Sequence, residues 1–284
     1  MKVQFLKKIV NFYIFSNIHV ALAGYCITKI TVLKYGIQQS YVPFFVAVSI
    51  IISYSFIRFI ELKSNKLNWL KDWFYYNIKS ILILCVTCGV LLLFIVFFTG
   101  FNRNSLLTLF PFALMTFFYV IPIFKIKNLE FSFRNFPAVK IFSIAFAWAG
   151  ITVLFPLNEA NVNFSFDVFL DFIQRFALLI VITLPFDIRD LKSDPENLKT
   201  LPQVLGVKAS KFIGVFLLVF TVGLEFLKNV FVENNLIELL IISFIIGLFL
   251  WFSSEKKSRY YTSFWVESIP VYWLILVVYF LDNF

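Results

Sequence analysis

Apolar residues fill this chain in long blocks separated by short polar stretches. Nine blocks of roughly 20 residues can be drawn, at 11–33, 40–61, 77–99, 104–123, 136–156, 168–186, 207–228, 235–253 and 260–281. A helix needs about 20 apolar residues to cross a bilayer's hydrocarbon core, so each block predicts a transmembrane helix. No Pro/Gly/Ser-rich linker, low-complexity tract or internal repeat divides them. Residues 1–284 therefore read as one all-α integral membrane domain. The first block follows Lys2, Lys7 and Lys8 and runs to Ala21-Leu22-Ala23, which mimics a signal peptide. Asn11, Ser16, Asn17 and His19 interrupt it, and an uncleaved first span is the expected reading.

Composition agrees with this pattern. Hydrophobic residues make up 61 % of the chain and charged residues 14 %, and the mean hydropathy is +0.88. Soluble domains are nearer half apolar with about a quarter charged, so an ordinary soluble enzyme, a disordered chain and a disulfide scaffold are excluded. The net charge of +9 reads as topology. With the connections assigned to alternate sides, twenty of the 25 Lys and Arg fall on the side of the N-terminus, and the exceptions are Lys29, Lys34, Arg103, Arg175 and Lys228. The positive-inside rule makes the rich side cytoplasmic, with the N-terminus inside and the C-terminus opposite. The surplus suits anionic lipid or an anionic substrate, and nothing points to nucleic acid. The 40 Phe are expected to fill the bundle and cover its lipid face, with a small subset facing inward. The nine Gly form no G-x-x-x-G, so close glycine-mediated crossing is not expected as the general packing mode.

The chemistry concentrates in a few places. Cys85 and Cys88 form a C-x-x-C inside a span without His, Asp or Glu, a poor start for a zinc site. His19 is the sole histidine, which excludes a His-based metal cluster. P-loop, G-x-S-x-G and H-E-x-x-H patterns are missing. The sharpest feature is Leu184-Pro-Phe-Asp187-Ile-Arg-Asp190-Leu-Lys-Ser-Asp194. If the sixth span continues as a helix, its three carboxylates share one face at the water boundary. Mg²⁺ would compensate their repulsion, since it binds through one or two carboxylates plus water and phosphate. The plainer reading is a solvated helix end paired with Arg189, Lys192 and Lys199. Asn17 and His19 in the first span suit either a helix–helix hydrogen bond or the lining of a cavity. Asp171 and Arg175, at i and i+4, read as a structural pair. Glu267 in the last span has a side that spacing alone leaves open.

Asp194 is followed by Lys199-Thr-Leu-Pro-Gln-Val-Leu-Gly206. The run D-x-x-D-x-x-x-D-x5-T-L-P-x-x-L-G resembles the second Asp-rich motif of the UbiA superfamily of membrane prenyltransferases. Tyr119-Val-Ile-Pro122-Ile-Phe-Lys125-Ile-Lys127 looks like that family's Y-x-x-P-x-x-x-K loop after its fourth helix. The resemblance implies nine helices in a single UbiA-like bundle, with a central cavity opening near the cytoplasmic side. It implies transfer of a prenyl group from an isoprenyl diphosphate to an aromatic or lipid acceptor. Asp187, Asp190 and Asp194 would hold metal, Lys125 or Lys127 would touch phosphate, and Tyr119 would line the pocket, with Asn17 and Tyr54 as further lining.

The first Asp-rich motif is degenerate. At the end of the second span the chain reads Ser53-Tyr54-Ser55-Phe56-Ile57-Arg58-Phe59-Ile60-Glu61, with no Asp. Arg58 and Glu61 are either an interfacial ion pair or a replacement for a metal, since a guanidinium binds phosphate bidentately. One Mg²⁺ is then expected rather than two. The alternative function is a non-catalytic relative that binds prenyl lipid or a partner protein. A transporter fits less well, because the polar cluster lies at a mouth and not at mid-membrane.

Overall fold

A computed structural model of the chain describes residues 2–64, 70–122, 124–126, 129–134, 136 and 139–282. The first apolar block is two helices, α1 (Lys2–Phe15) and α2 (Ile18–Lys34), bent by 53° at a break. Asn17 makes the break. Its φ of 70° is left-handed, and its amide donates to Ser55 Oγ at 3.4 Å. There follow α3 (Val42–Lys63), α4 (Lys71–Phe98) and α5 (Ser105–Val120). A short hairpin of β1 (Phe124–Ile126) and β2 (Leu129–Phe131) leads to α6 (Lys140–Ala149). A π-helical turn at Gly150–Leu154 joins α6 to α7 (Phe155–Glu159). The remaining helices are α8 (Phe166–Arg189), α9 (Leu201–Glu225), α10 (Glu233–Trp251) and α11 (Ile269–Asp282), the last preceded by a π-helical turn at Tyr261–Val266.

Among the described residues, seven helices are long and apolar enough to cross a membrane, and eight if the bent α1–α2 pair counts as one span. The fourth block of the nine drawn from the sequence is the exception. Its helix, α5, has only 16 residues, about 24 Å at 1.5 Å per residue.

Both π-helical turns precede a proline, Pro156 and Pro270. A proline ring clashes with the carbonyl four residues back and offers it no N–H. A wider turn relieves the clash. The carbonyl that Pro156 leaves free, Thr152 O, accepts from Thr31 Oγ1 of α2 at 2.8 Å.

The core centres on α8, most of whose apolar window is buried. Leu178, Val181, Leu184 and Ile188 meet Ile27 and Ile30 of α2, Ala145 and Ala149 of α6, and Ile242, Ile246 and Leu250 of α10. This core is mainly aliphatic, with Phe172 and Trp273 as its buried aromatics. Among the described residues six Phe are buried and 20 are exposed, so phenylalanine mainly covers the outer face. Three glycines mediate close approaches, while five of the nine have open space where a Cβ would stand. A Cβ on Gly24 would strike Ile50, on Gly150 Phe112, and on Gly214 Leu250.

Candidate active site

The site gathers at one end of the bundle, where α3, α5, α6 and α8 finish or begin. Helix α8 does not continue through the Asp run. It ends at Arg189, Asp190 caps it, and the N–H groups of Ser193 and Asp194 both donate to Asp190 O, at 2.9 and 2.8 Å. Pro195 disfavours helix at the residue before it. The turn nevertheless returns Asp194 to the side of Asp187. Lys140 Nζ, at the start of α6, bridges them, 3.0 Å from Asp187 Oδ1 and 2.8 Å from Asp194 Oδ2. Asp190 makes no bond to Lys140 and pairs with Arg189 instead. Arg189 grips it with Nε to Oδ1 at 2.8 Å and Nη2 to Oδ2 at 2.6 Å. The three carboxylates therefore do not share one helix face.

The opposite wall comes from α3. Glu61 is buried and shared by two guanidiniums, Arg58 Nη1 at 3.1 Å and Arg134. Arg134 is placed by backbone. The N–H groups of Phe133 and Arg134 donate to Phe118 O and Tyr119 O, each at 3.1 Å, and so satisfy carbonyls that the end of α5 leaves open. Burial, then the like charge of Arg58, pushes the Arg134 guanidinium below its ordinary pKa.

Tyr119 lies between the walls, within the fields of Lys140, Asp187 and Asp194. Tyr54 accepts a hydrogen bond from Trp148 Nε1 at 3.2 Å. Tyr54, Arg58, Tyr119, Arg134 and Glu267 all keep partial exposure although helices surround them. Asn17 instead shapes the α1–α2 break. His19 is also structural, for its ring nitrogens reach Tyr13 Oη at 2.8 Å and Phe264 O at 2.9 Å. Lys125 stands in β1 opposite Glu130 in the hairpin register, and Lys127 lies outside the described residues. Asp171 is ion-paired to Lys228 at 2.7 Å, while Arg175 stacks on Trp273 at 4.7 Å, in place of the pairing with each other expected from their spacing.

Sequence reasoning missed Arg134 and Lys140 as site residues and treated Arg189 only as a solvated partner. All three stand in the basic connections, which was the signal available.

Among the described residues no group of three or more His, Cys, Asp or Glu is arranged to hold a metal ion. Of the carboxylate oxygens at this site, Asp187 Oδ2 is buried without a hydrogen-bond partner among the described residues. That orphan and the neighbouring Asp194 fit a single hard cation bound with phosphate. The α3 wall, whose acid is already held by two arginines, fits none.

No protein-family profile matches the chain, and no curated protein matches it. Solved structures do. A UbiA homolog from Archaeoglobus fulgidus bound to GPP and Mg²⁺ superposes with a TM-score of 0.62 at 12 % identity, covering 96 % of this chain and 99 % of that one. The same homolog bound to DMAPP and Mg²⁺ gives 0.62 at 13 % identity, with the same coverage. At this identity the likeness establishes the fold. With the apolar helices above, it makes the chain an integral membrane protein of UbiA-like architecture.

Proposed function

We propose that the chain is a membrane prenyltransferase that binds an isoprenyl diphosphate at this polar mouth and passes the prenyl group to an aromatic or lipid acceptor. The observation that carries the reading is the set of four cations at this mouth, Arg58 and Arg134 on Glu61, Lys140 on Asp187 and Asp194, and Arg189 on Asp190, with one buried oxygen of Asp187 left without a partner. Breaking an allylic C–O bond leaves charge on the diphosphate. Fixed cations aimed at that charge lower the barrier without reorganising. Guanidiniums suit the task because they remain charged and bind phosphate through two donors. One Mg²⁺, held by Asp187 and Asp194, would add Lewis-acid neutralisation of the leaving diphosphate. Arg58 and Arg134 stand in for a second ion on the α3 wall.

An aromatic row supports the assignment of the prenyl chain. From Phe142, two residues after Lys140, it follows the seam between α6 and α8, with Phe142 and Phe146 on the exposed side. Phe146 packs edge-on against Phe172 and Phe176, with ring centroids 5.4 and 6.2 Å apart, and Phe142 meets Phe176 at 6.5 Å. Phe142 and Phe146 remain open enough to meet a ligand or lipid chain. Their π-faces would steady an allylic cation. The likeness to homologs bound to GPP and DMAPP supports the same donor class here.

A second reading, diphosphate or prenyl-lipid binding without transfer, has its own support. Glu61, Asp187, Asp190 and Asp194 all have cationic partners already, so the site is charge-balanced without metal. The experiment is release of diphosphate from geranyl and farnesyl diphosphate by the protein in nanodiscs, with and without Mg²⁺. Mg²⁺-stimulated release that Asp187→Ala abolishes is the expected result. Tight binding without release favours the second reading.

A further inference from the structure

Among the described residues, Glu267 is the carboxylate at this mouth without a side-chain partner. Glu61, Asp187, Asp190 and Asp194 are each ion-paired, whereas Glu267 makes no side-chain hydrogen bond or ion pair among the described residues. It comes directly after the π-helical turn at Tyr261–Val266, and its N–H reaches back five residues to Thr262 O at 3.1 Å. Such a turn adds one residue to the helix and rotates the next segment by about a quarter turn, and π-turns recur at functional sites. The same turn is tied to the diphosphate end. Arg189 donates to Thr262 Oγ1, and also to Ser263 Oγ at 3.4 Å. The charged and titratable groups around Glu267 come from every neighbouring element. They are Tyr13 of α1, Tyr54 and Arg58 of α3, and Arg189 of α8. His19 of α2 is occupied by Tyr13 and the Phe264 carbonyl.

An unpaired, partly exposed carboxylate beside two diphosphate-binding arginines has a chemical use. Prenyl transfer to a neutral acceptor releases a proton. The C–O bond of the donor breaks, and its electron pair leaves with the diphosphate. The new bond forms from an electron pair on the acceptor's oxygen or ring carbon, and that atom then sheds its hydrogen. We propose that Glu267 is the base that receives this proton, and that the acceptor carries an acidic O–H or ring C–H placed beside it. The inference rests on the transferase reading above. It assigns the acceptor side of the site to the end of the π-helical turn before α11 and the donor side to α3, α6 and α8. The π-turn places base and leaving-group cations on adjoining residues of one wall.

The test uses the full chain in nanodiscs with geranyl diphosphate as donor. The acceptor probes are 4-hydroxybenzoate, 1,4-dihydroxy-2-naphthoate and dioleoylglycerol. Glu267→Gln should lower transfer to whichever probe the wild type prenylates by at least about 100-fold, the usual weight of a general base. Its affinity for geranyl diphosphate should be unchanged or tighter, because a negative charge near the diphosphate has gone. Glu267→Asp, which keeps the carboxylate, should recover part of the rate. The acidic limb of the rate–pH profile should be present in wild type and E267D and absent from the residual activity of E267Q. A merely structural carboxylate would not move that limb. Transfer by E267Q at the wild-type rate, or with the acidic limb intact, overturns the inference and leaves the transferase reading standing. A wild-type protein that binds geranyl diphosphate and prenylates none of the probes overturns both.

Discussion

Arg58 and Arg134, proposed in place of a second ion, share one acidic partner on the α3 wall. Both reach Glu61, and a carboxylate that is buried and doubly bonded fixes the direction of two guanidiniums. Arg58→Ala should weaken geranyl diphosphate binding by about 1.5–3 kcal/mol, the worth of a hydrogen bond to a charged group. Arg58→Lys should recover only part of it, because an ammonium lacks the planar fork. Titration calorimetry in nanodiscs measures this, and wild-type affinity in the Ala variant would remove Arg58 from the site. Lys140 carries a second prediction. It holds Asp187 and Asp194 together in the place where the single Mg²⁺ is assigned. Lys140→Met should destabilise the fold by about 2 kcal/mol, less than the 3–5 of a fully buried broken pair because the lysine keeps some contact with water. Mg²⁺ should then raise the melting temperature of the variant more than that of wild type. Equal shifts would mean that the ion does not use those carboxylates. Arg58, Glu61 and the Asp run were legible in sequence as residue types at span ends. The partners were not, because Arg134 and Lys140 reach the site through tertiary placement of a hairpin and a helix start.

At the scale of elements, the stretch after Asp194 is written for a specific backbone path. Lys199 is left-handed at φ 46°, and Thr200 N–H donates to Gln203 Oε1 at 3.0 Å to open α9. Pro202 occupies the first turn, where its missing N–H costs nothing. Gly206 then breaks the helix at φ 81°, ψ 160°. A side chain there would meet open space, so glycine is required by conformation and not by room. Gly206→Ala should cost about 1–3 kcal/mol, the strain of a region that glycine alone enters readily. Thermal unfolding in detergent reads this, and an unchanged midpoint would show that α9 can straighten. The apolar block predicted from residue 207 begins at this break, which explains why hydropathy placed that boundary well. It drew the first block as one span, because the polar residues at 16, 17 and 19 are too few to divide the block and say nothing of the left-handed backbone at Asn17. The π-turns before Pro156 and Pro270 were equally invisible to a hydropathy window, although the prolines themselves marked where regular helix had to yield.

Across the whole molecule, polar groups collect at two ends with an aliphatic core between. The basic end carries the site. The opposite end holds a closed ion network. Lys34 meets Glu238 at 3.0 Å, and Lys228 meets Asp171 and Glu225, each at 2.7 Å. Arg175 donates to Ile27 O at 2.7 Å. Lys34, Asp171, Arg175 and Glu225 line a cavity of about 30 Å³, room for a water or two. The short helix α5 decides how the two ends relate to the termini. Its beginning is fixed at the network end, where Ser105 bonds Glu159 and Asn102 N–H donates to Glu159 Oε1 at 2.8 Å. Its last turn is at the basic end, where Tyr119 O accepts from Arg134. So α5 carries the chain from end to end despite falling about 6 Å short of a standard hydrocarbon core. A bilayer thins locally to meet such a mismatch at modest cost. We propose that α5 counts as a crossing, so that the two termini lie on opposite faces and the charge bias puts the N-terminus and the candidate site in the cytoplasm. A fluorescent reporter that matures only in the cytoplasm should therefore glow when fused before Lys2 and stay dark when fused after the last helix. Glow from both fusions would mean that α5 does not cross. The reverse pattern would place the diphosphate site on the outer face, away from cytoplasmic prenyl diphosphate, and the transferase reading would fall with it.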